Sequence, residues 1–308
     1  MPRPLALFSL FLAAVLSIPV RAPGAGVAAP SVGASAGRVE CSSVPSKILA
    51  RSVRFCALLP PAYDAQPEQR FPVLYWLHGL GQNEQAFVNA GGPAMVEDLR
   101  GRGRIRDFII ITPDGARTFY LNSHDGKTRY EDFFLREFLP AIEHRYRIEA
   151  GRGTRGVSGV SMGGFGALHF GLKYPETFGA MSAHSAAVME QPPAALNGGA
   201  RIGFLEEVFG SPVDRAFWDR QSLFTLAKHA SPAESWRIYF DCGSEDDFGF
   251  EDGNQALDRT LTRRGIRHEF HLYPGNHSWN YFAAHIPASL EFHSKAFAAS
   301  GTGSTLKK

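Results

Sequence analysis

The chain has 308 residues, of which 44% are hydrophobic, and its formal net charge at pH 7 is only +2. This composition supports a continuous apolar core, and it lacks the basic surface that a nucleic-acid partner requires. With only 3 cysteines, the chain cannot depend on a disulfide-built scaffold.

The first residues have the order of features of a secretory signal peptide. Arg3 supplies a positive charge, the run Leu5–Val20 carries no charge, and small residues follow it. We predict a signal peptide over residues 1–25, with cleavage between Ala22 and Ala36, and therefore a secreted or periplasmic protein. The apolar run is short for a bilayer span, so a retained anchor is the less favoured alternative and no stable membrane insertion is expected.

The next segment, RVECSSVPSKILARSVRFCALLP, is typical of an antiparallel strand pair. Cys41 and Cys56 lie within it and can form a disulfide if the hairpin brings them together in an oxidising compartment. Cys242 would then be unpaired. The alternative is three free thiols, which conflicts with the predicted export.

Short apolar runs bounded by turn-forming residues then alternate with longer amphipathic segments. The runs are FPVLYWLHG, DFIIITPDG, TRGVSGVS, FGAMSAHSA, RIYFDCGS and HEFHLYPG. Continuous apolar character is typical of strands buried on both faces of a parallel sheet. In the helix-like segment YEDFFLREFLPAIEHRYR, the residues Phe134, Leu135, Phe138 and Ile142 share one face.

This alternation predicts an α/β fold with a mostly parallel, doubly wound sheet and an N-terminal antiparallel hairpin. No internal repeat or long linker divides the chain after the signal peptide. We therefore expect a single domain over residues 38–298 and a disordered tail over 299–308.

Residues 156–168, GVSGVSMGGFGAL, contain the pattern G-x-S-x-G at Gly159, Ser161 and Gly163. The pattern alone is weak in a chain with 32 glycines. Here, however, a strand-like segment ends at the serine and a helix-like segment follows it. This is the setting of a nucleophile elbow, in which the strand and helix pass too closely for side chains at the flanking positions. We predict that Ser161 is a catalytic nucleophile.

A nucleophilic serine needs a histidine base that is oriented by an acid, and in this fold class the chain order is serine, acid, histidine. His277 follows the last predicted strand and its Pro274–Gly275 turn, and it is the predicted base. Other histidines are less well placed, because His268 and His271 lie within the strand and His285 and His293 lie on the final helix.

Four acidic residues lie near the end of the preceding strand, namely Asp241, Glu245, Asp246 and Asp247. Asp241 lies inside the strand and is expected to be structural. Asp246 follows Gly243 in the turn that leaves the strand, and it is favoured over Asp247 because adjacent loop residues point in different directions. The residue not used by the histidine would cap a helix or be solvated.

The tetrahedral intermediate of acyl transfer requires two N–H donors. One is predicted to be the amide of Met162, which follows the nucleophile. The other is assigned to Leu80 in the loop HGLG after an early strand, where Gly79 and Gly81 allow the backbone to turn inward. A simple glycine turn is the alternative for this loop.

Substrate contacts are less well defined by the sequence. Asn122 and Tyr130, together with Tyr120, are candidates from the loop FYLNSHDGKTRYEDFF, with loop hydrogen bonding and packing as the alternative. The segment 188–236 is a candidate lid, but its aromatic residues Phe204, Phe209, Phe217 and Trp218 are somewhat more typical of a helix core. Trp279 is expected to pack beside His277.

The segments LPPAYDAQPEQRFPVLYWLHGLG, GVSMGGFGAL, CGSEDDF and GNHSWNYF together resemble the esterase D-type "putative esterase" family of α/β-hydrolases. That family includes S-formylglutathione hydrolases, feruloyl and acetyl-xylan esterases, and mycolyltransferases. The resemblance covers residues 40–298 and implies an α/β-hydrolase fold, a Ser161–Asp246–His277 triad and the oxyanion donors Leu80 and Met162. The predicted signal peptide departs from the S-formylglutathione hydrolases, which are chiefly cytosolic.

These observations predict a secreted serine esterase that acts on a small-molecule or glycan-linked ester through an acyl-enzyme, with no metal and no cofactor. An acyltransferase that uses a sugar hydroxyl in place of water is an alternative with the same triad. A non-catalytic secreted binding protein on a hydrolase fold is the alternative from another class. The oligomeric state is not predicted.

Overall fold

The structure is a computed structural model and describes residues 37–192, 203–234 and 236–301. The predicted signal peptide and its cleavage window lie outside the described residues, as does the end of the predicted tail. Residues 299–301 correct the predicted tail boundary, because they continue the last helix. The alanine-rich sequence AFAAS favours this continuation, since alanine has the highest helix propensity.

Eight strands form a single mixed sheet. They are β1 (Arg38–Ser46), β2 (Arg51–Leu59), β3 (Val73–Leu77), β4 (Ile109–Pro113), β5 (Arg155–Val160), β6 (Ala180–His184), β7 (Arg237–Gly243) and β8 (Glu269–Tyr273). Their order is β1-β2-β4-β3-β5-β6-β7-β8. β2 is antiparallel to both of its neighbours, and all other neighbouring strands are parallel. The predicted α/β fold with a leading hairpin is confirmed.

Helices connect the strands and cover both faces of the sheet. They are α1 (Pro61–Ala65), α2 (Ala86–Asn89), α3 (Gly92–Gly101), α4 (Tyr130–Phe133), α5 (Leu139–Arg145), α6 (Met162–Lys173), α7 (Gly203–Phe209), α8 (Arg215–Gln221), α9 (Leu223–His229), α10 (Phe250–Arg263) and α11 (Trp279–Gly301). A π-helical turn at Phe134–Phe138 joins α4 to α5. In this stretch Phe134, Phe138 and Ile142 are fully buried as predicted, whereas Leu135 is only partly buried. Of the helices in the described ranges, none has both the length and the apolar character needed to cross a membrane.

Side chains of the central strands alternate between two apolar cores. On β3, Tyr75 and Leu77 belong to the core beneath α5 to α10, whereas Leu74 and Trp76 belong to the core beneath α2, α3 and α11. Successive strand residues point to opposite faces, so a continuous apolar run fills both cores. The central strands β3 to β7 are therefore buried on both faces, whereas β8, at the edge of the sheet, has no buried residue. The carboxyl ends of the parallel strands all meet along one edge.

The N-terminal hairpin contains a disulfide. Cys41 and Cys56 are directly opposite in the register of β1 and β2, with their Cα atoms 4.0 Å apart, and their sulfur atoms are bonded. Cys242 lies buried in β7 as a free thiol. Burial raises the pKa of the Cys242 thiol to about 12, so it is protonated at neutral pH.

Candidate active site

A sharp turn at Ser161 separates β5 from α6. Its backbone has φ of 55° and ψ of −119°, a conformation that side-chain-bearing residues rarely adopt. A Cβ on Gly159 would lie 2.4 Å from the carbonyl of Gly163, and a Cβ on Gly163 would lie 2.1 Å from the oxygen of Leu77. Glycine is therefore required at both positions, because the backbones of β5, α6 and β3 approach so closely here that a Cβ atom would clash.

Three backbone hydrogen bonds hold the strained turn. The Ser161 N–H donates to the oxygen of His184 at the end of β6, over 2.9 Å. The Ser161 carbonyl accepts from the N–H groups of Phe165 and Ala187, each over 3.0 Å. These contacts anchor Ser161 to both α6 and the loop after β6, and they offset the cost of its dihedral angles.

His277 and Asp246 form a hydrogen-bonded pair in the loops after β8 and β7. His277 Nδ1 lies 2.7 Å from Asp246 Oδ2, and the side chain of Asp246 is fully buried. The two loops are joined by the Glu245 N–H, which donates to the oxygen of Gly275 over 2.9 Å. Because Nδ1 is engaged by the carboxylate, the other ring nitrogen, Nε2, is left for a second partner.

Several interactions determine the charge state of Asp246. Burial acts to raise its pKa, but hydrogen bonds from His277, from the Phe248 N–H and from Ser185 outweigh burial, so that the pKa of Asp246 lies below its ordinary value. The Phe248 bond spans 3.0 Å. The carboxylate therefore remains ionised at neutral pH, which favours a protonated Nδ1 on His277.

Asp247 has a different place in the same loop. Its Oδ2 accepts the backbone N–H of His277 over 3.1 Å, while its neighbour Asp246 meets the imidazole ring. Asp247 therefore stabilises the backbone of the His277 loop and does not contact the imidazole ring through this hydrogen bond. Neither helix capping nor simple solvation, the expected roles for the second acid, describes this contact.

Aromatic edges surround the His277 ring. Phe248, Phe250 and Phe282 meet it edge-on with centroid distances of 4.8, 5.5 and 5.3 Å. Trp279 packs against Phe282 at 6.0 Å, so it supports His277 through that ring. The imidazole is thus confined from three sides, which limits its rotation.

Ser185 connects the acid to the rest of the site and was not identified from the sequence. It has a φ of 38° directly after β6, and its side chain bonds both Asp246 and Cys242. Its N–H donates to the oxygen of Asp241 over 2.8 Å. The sequence offered one signal for Ser185, because it follows the end of a strand just as Ser161 does. A serine at a strand end that belongs to no motif cannot be told from an ordinary loop serine by its position alone.

A buried polar network lies beneath these loops. Asp241 accepts from His184 Nδ1 and from the hydroxyl of Tyr281, both over 2.8 Å, and His184 Nε2 lies 2.8 Å from Ser289 Oγ. Burial acts to raise the pKa of Asp241, but His184 and Tyr281 outweigh burial and keep this pKa below its ordinary value. As expected, Asp241 has a structural role: it holds His184, whose carbonyl in turn accepts the Ser161 N–H.

The loop HGLG lies against the turn at Ser161. A Cβ on Gly79 would be 3.5 Å from Ser161 Cβ. His78 Nε2 accepts the Gly115 N–H over 2.8 Å, and the hydroxyl of Tyr120 donates to the oxygen of His78 over 3.1 Å. Leu80 is therefore carried by a braced loop that borders Ser161.

Met162 is the first residue of α6, where the N–H groups of a helix lack intrahelical acceptors. The structure thus places the two residues predicted to supply the oxyanion donors, Leu80 and Met162, on backbone segments that border Ser161. Their roles as donors remain predictions. Within the described ranges, no three His, Cys, Asp or Glu side chains are grouped in a way that could hold a metal ion.

Two of the candidate substrate contacts are corrected by the structure. Tyr130 is fully buried and its hydroxyl donates to the oxygen of Asp114 over 3.1 Å, and Tyr120 is fully buried beneath His78. Both are core side chains because the aromatic loop packs inward. Asn122 is half-buried, and its Oδ1 accepts the Asp132 N–H over 3.1 Å. Its carboxamide therefore has a local structural partner.

The described part of segment 188–236 contributes an apolar seam. Phe209, Phe217 and Trp218 are buried in the core, as expected if these aromatic residues belong to a helix core rather than to a lid. The side chain of Phe204 lies outside the described residues. The seam is lined by Phe119, Phe165, Ala187, Val188, Met189, Phe209, Trp218, Gln221, Ser222, Leu223 and Phe224. It leaves only about 10 Å³ of free space. The seam reaches the turn at Ser161, because the N–H groups of Phe165 and Ala187 donate to the Ser161 carbonyl.

Comparisons with known proteins match the same region. Residues 46–293 match the family described as "Putative esterase". An acetyl esterase of Caldicellulosiruptor saccharolyticus is 27% identical over 266 residues, covering 81% of this chain and 96% of the relative. An S-formylglutathione hydrolase of Bos taurus is 26% identical over 271 residues, covering 79% and 88%. Among solved structures, a ferulic acid esterase has a TM-score of 0.74 at 26% identity, over 85% of this chain and 98% of that chain.

The close approach at Gly159 generates a stability prediction. We expect Gly159→Ala to lower the free energy of unfolding by more than about 2 kcal/mol, because the new Cβ would meet backbone atoms that cannot move aside. Gly101→Ala is the matched control, since nothing lies within 4 Å of its Cβ position near the end of α3. Urea unfolding of both variants measures the effect. Equal stabilities would contradict the backbone contact at the turn.

Proposed function

The chain belongs to the "Putative esterase" family and is an ester-hydrolysing enzyme, and we propose that Ser161, His277 and Asp246 are its catalytic triad. The observation that carries the proposal is the 2.7 Å contact between His277 Nδ1 and the buried Asp246 carboxylate. This contact leaves Nε2 as the basic nitrogen. Ser161 lies at the same edge of the sheet and is tied through His184 and Ser185 to the acid.

In the proposed reaction, His277 Nε2 takes the hydroxyl proton of Ser161 as Oγ attacks the carbonyl carbon of the ester. The oxyanion that forms is stabilised by the N–H groups of Met162 and Leu80. The intermediate then collapses, the carbon–oxygen bond to the alcohol breaks, and the alcohol leaves with the proton from His277. Water repeats the sequence on the acyl-enzyme and releases the carboxylic acid. Asp246 remains ionised and orients the ring throughout.

The proposed acyl group is short. Phe165 and Ala187 connect the apolar seam to Ser161, and the seam holds about 10 Å³ of free space, roughly the minimum for one water. A long acyl chain would therefore have to displace packed aromatic side chains. The printed names of the relatives include an acetyl esterase, which agrees with a small acyl group.

We further propose that the protein is exported. The charged start and apolar run of the first residues support a signal peptide, and the Cys41–Cys56 disulfide supports an oxidising compartment. The measurement is N-terminal sequencing of the protein recovered from the periplasm or medium, where we expect a start between residues 23 and 37. Full-length protein confined to the cytoplasm would contradict export.

Ester hydrolysis should depend on Ser161 and on acyl length. We expect the Ser161→Ala variant to lose at least about 10³-fold in kcat on p-nitrophenyl acetate, because it lacks the hydroxyl that attacks the ester. For the wild type, kcat/KM should be highest for acetate and propionate and should fall at least about tenfold by octanoate, because the seam is filled.

Equal rates of the two proteins on p-nitrophenyl acetate would exclude Ser161 as the nucleophile. A preference for octanoate or methyl ferulate would instead show that the seam opens to admit a larger acyl group.

The two neighbouring acids should differ sharply. Asp246→Asn is expected to lower kcat about 10³- to 10⁴-fold, because an amide cannot stabilise the imidazolium and favours the wrong tautomer. Asp247→Asn should cost less than about tenfold, since its amide oxygen can still accept the His277 N–H. Steady-state kinetics on p-nitrophenyl acetate compare the two variants. The reverse order would reassign the acid to Asp247.

A further inference from the structure

Four hydrogen-bond donors surround the buried carboxylate of Asp246. Its Oδ2 accepts from His277 Nδ1 over 2.7 Å and from the Cys242 thiol over 3.8 Å. Its Oδ1 accepts the Phe248 N–H over 3.0 Å, and the side chain of Ser185 is the fourth partner. A carboxylate offers about four lone-pair positions, so the donors saturate this one inside the protein. The proposed reaction uses only the His277 contact.

The Ser185 hydroxyl links the acid to the other side of the site. The thiol and the backbone donor lie within four residues of Asp246 in the sequence, so they belong to the same loop and the strand that leads into it. Ser185 instead comes directly after β6, whose last residue, His184, accepts the Ser161 N–H over 2.9 Å. Ser185 therefore connects the loop of the proposed acid to the segment that holds the proposed nucleophile.

The backbone of Ser185 has an uncommon conformation. Its φ of 38° lies in the left-handed region, which residues with a side chain rarely adopt, and the residue is fully buried. Its N–H donates to the oxygen of Asp241 over 2.8 Å. Such strain persists only where the surrounding structure determines it, and it is concentrated at functional sites. In this conformation the side chain reaches the loop that carries Asp246.

The direction of the Ser185 hydroxyl proton follows from its other contacts. The Gly243 N–H donates to Ser185 Oγ over 3.4 Å, which occupies a lone pair of the hydroxyl and leaves its proton for another partner. The two candidate acceptors are the Asp246 carboxylate and the Cys242 sulfur. An ionised carboxylate is a much stronger acceptor than a neutral thiol, so the proton is directed to Asp246.

We propose that Ser185 is a positioning residue of the esterase, whose hydroxyl holds the Asp246 carboxylate in the orientation that presents Oδ2 to His277. The last torsion of an aspartate side chain has only broad preferences, so the donors around the carboxylate determine its direction. Without Ser185 the buried carboxylate would have an unsatisfied lone pair and would rotate toward its remaining donors. This proposal rests on the proposed triad and adds a residue that acts through its acid.

The test removes the hydroxyl in the presence and in the absence of the acid. We expect Ser185→Ala to lower kcat on p-nitrophenyl acetate about ten- to thirtyfold and to change KM less than about twofold. The reason is that a charge-assisted hydrogen bond is lost at the acid and not where the ester binds. In the Asp246→Asn background, the same substitution should lower kcat less than about twofold further, since the group on which it acts is already replaced.

Two further variants separate the hydroxyl from the backbone and from burial. Ser185→Gly relieves the positive φ and also lacks the hydroxyl, so its kcat should match that of Ser185→Ala. Ser182→Ala is the matched control, because Ser182 is a fully buried serine in β6 whose hydroxyl contacts Ser158 and His293. It should retain the wild-type kcat within about twofold. Urea unfolding checks that each variant is folded under the assay conditions.

A wild-type kcat in Ser185→Ala, together with a large loss in Asp246→Asn, would overturn the positioning role while the triad stands. Recovery of kcat in Ser185→Gly would assign the effect to the backbone, and a full additional loss in the Asp246→Asn background would show that Ser185 does not act through the acid. Either of these results would also refute the proposal. An undiminished kcat in Asp246→Asn would instead overturn the triad itself, and the positioning role with it.

Discussion

The site depends on a single backbone constraint, the left-handed conformation of Ser161 between β5 and α6. That conformation is costly for a residue with a side chain. It persists because the backbone N–H and carbonyl of Ser161 form three hydrogen bonds, with His184, Phe165 and Ala187. The glycines at 159 and 163 allow these bonds by letting backbone segments approach within van der Waals distance. The strain is thus stored in the turn and offset by the surrounding sheet and helix.

Hydrogen bonds at the end of β6 also couple the turn at Ser161 to the loop that carries Asp246. His184 holds Ser161 through its carbonyl and is itself held by Asp241, while Ser185, the next residue, bonds Asp246. The end of β6 therefore contacts both the proposed nucleophile and the proposed acid. Two buried carboxylates, Asp241 in β7 and Asp246 in the loop after it, each stay ionised because their hydrogen-bond donors outweigh the cost of burial. One supports the scaffold and the other orients His277.

The surroundings of Ser161 are asymmetric. Phe165 and Ala187, which hydrogen-bond to its carbonyl, belong to the packed apolar seam, whereas the exposed Gln82 lies near it across Gly79. The chain is similar both to an acetyl esterase and to an S-formylglutathione hydrolase, so similarity by itself does not define the ester. Specificity must therefore arise from the surfaces that flank Ser161.

The sequence by itself predicted the order of strands and helices along the chain, a hairpin that can bring Cys41 and Cys56 together, and Asp246, favoured over Asp247, as the partner of His277. These follow from apolar periodicity, glycine spacing and chain order, which are local properties. Only the tertiary structure decided that Tyr130 is a core residue and that Ser185 bonds the acid. Those side chains come from segments distant in sequence, and their contacts depend on how loops from different strands pack at one edge of the sheet, which no local pattern encodes.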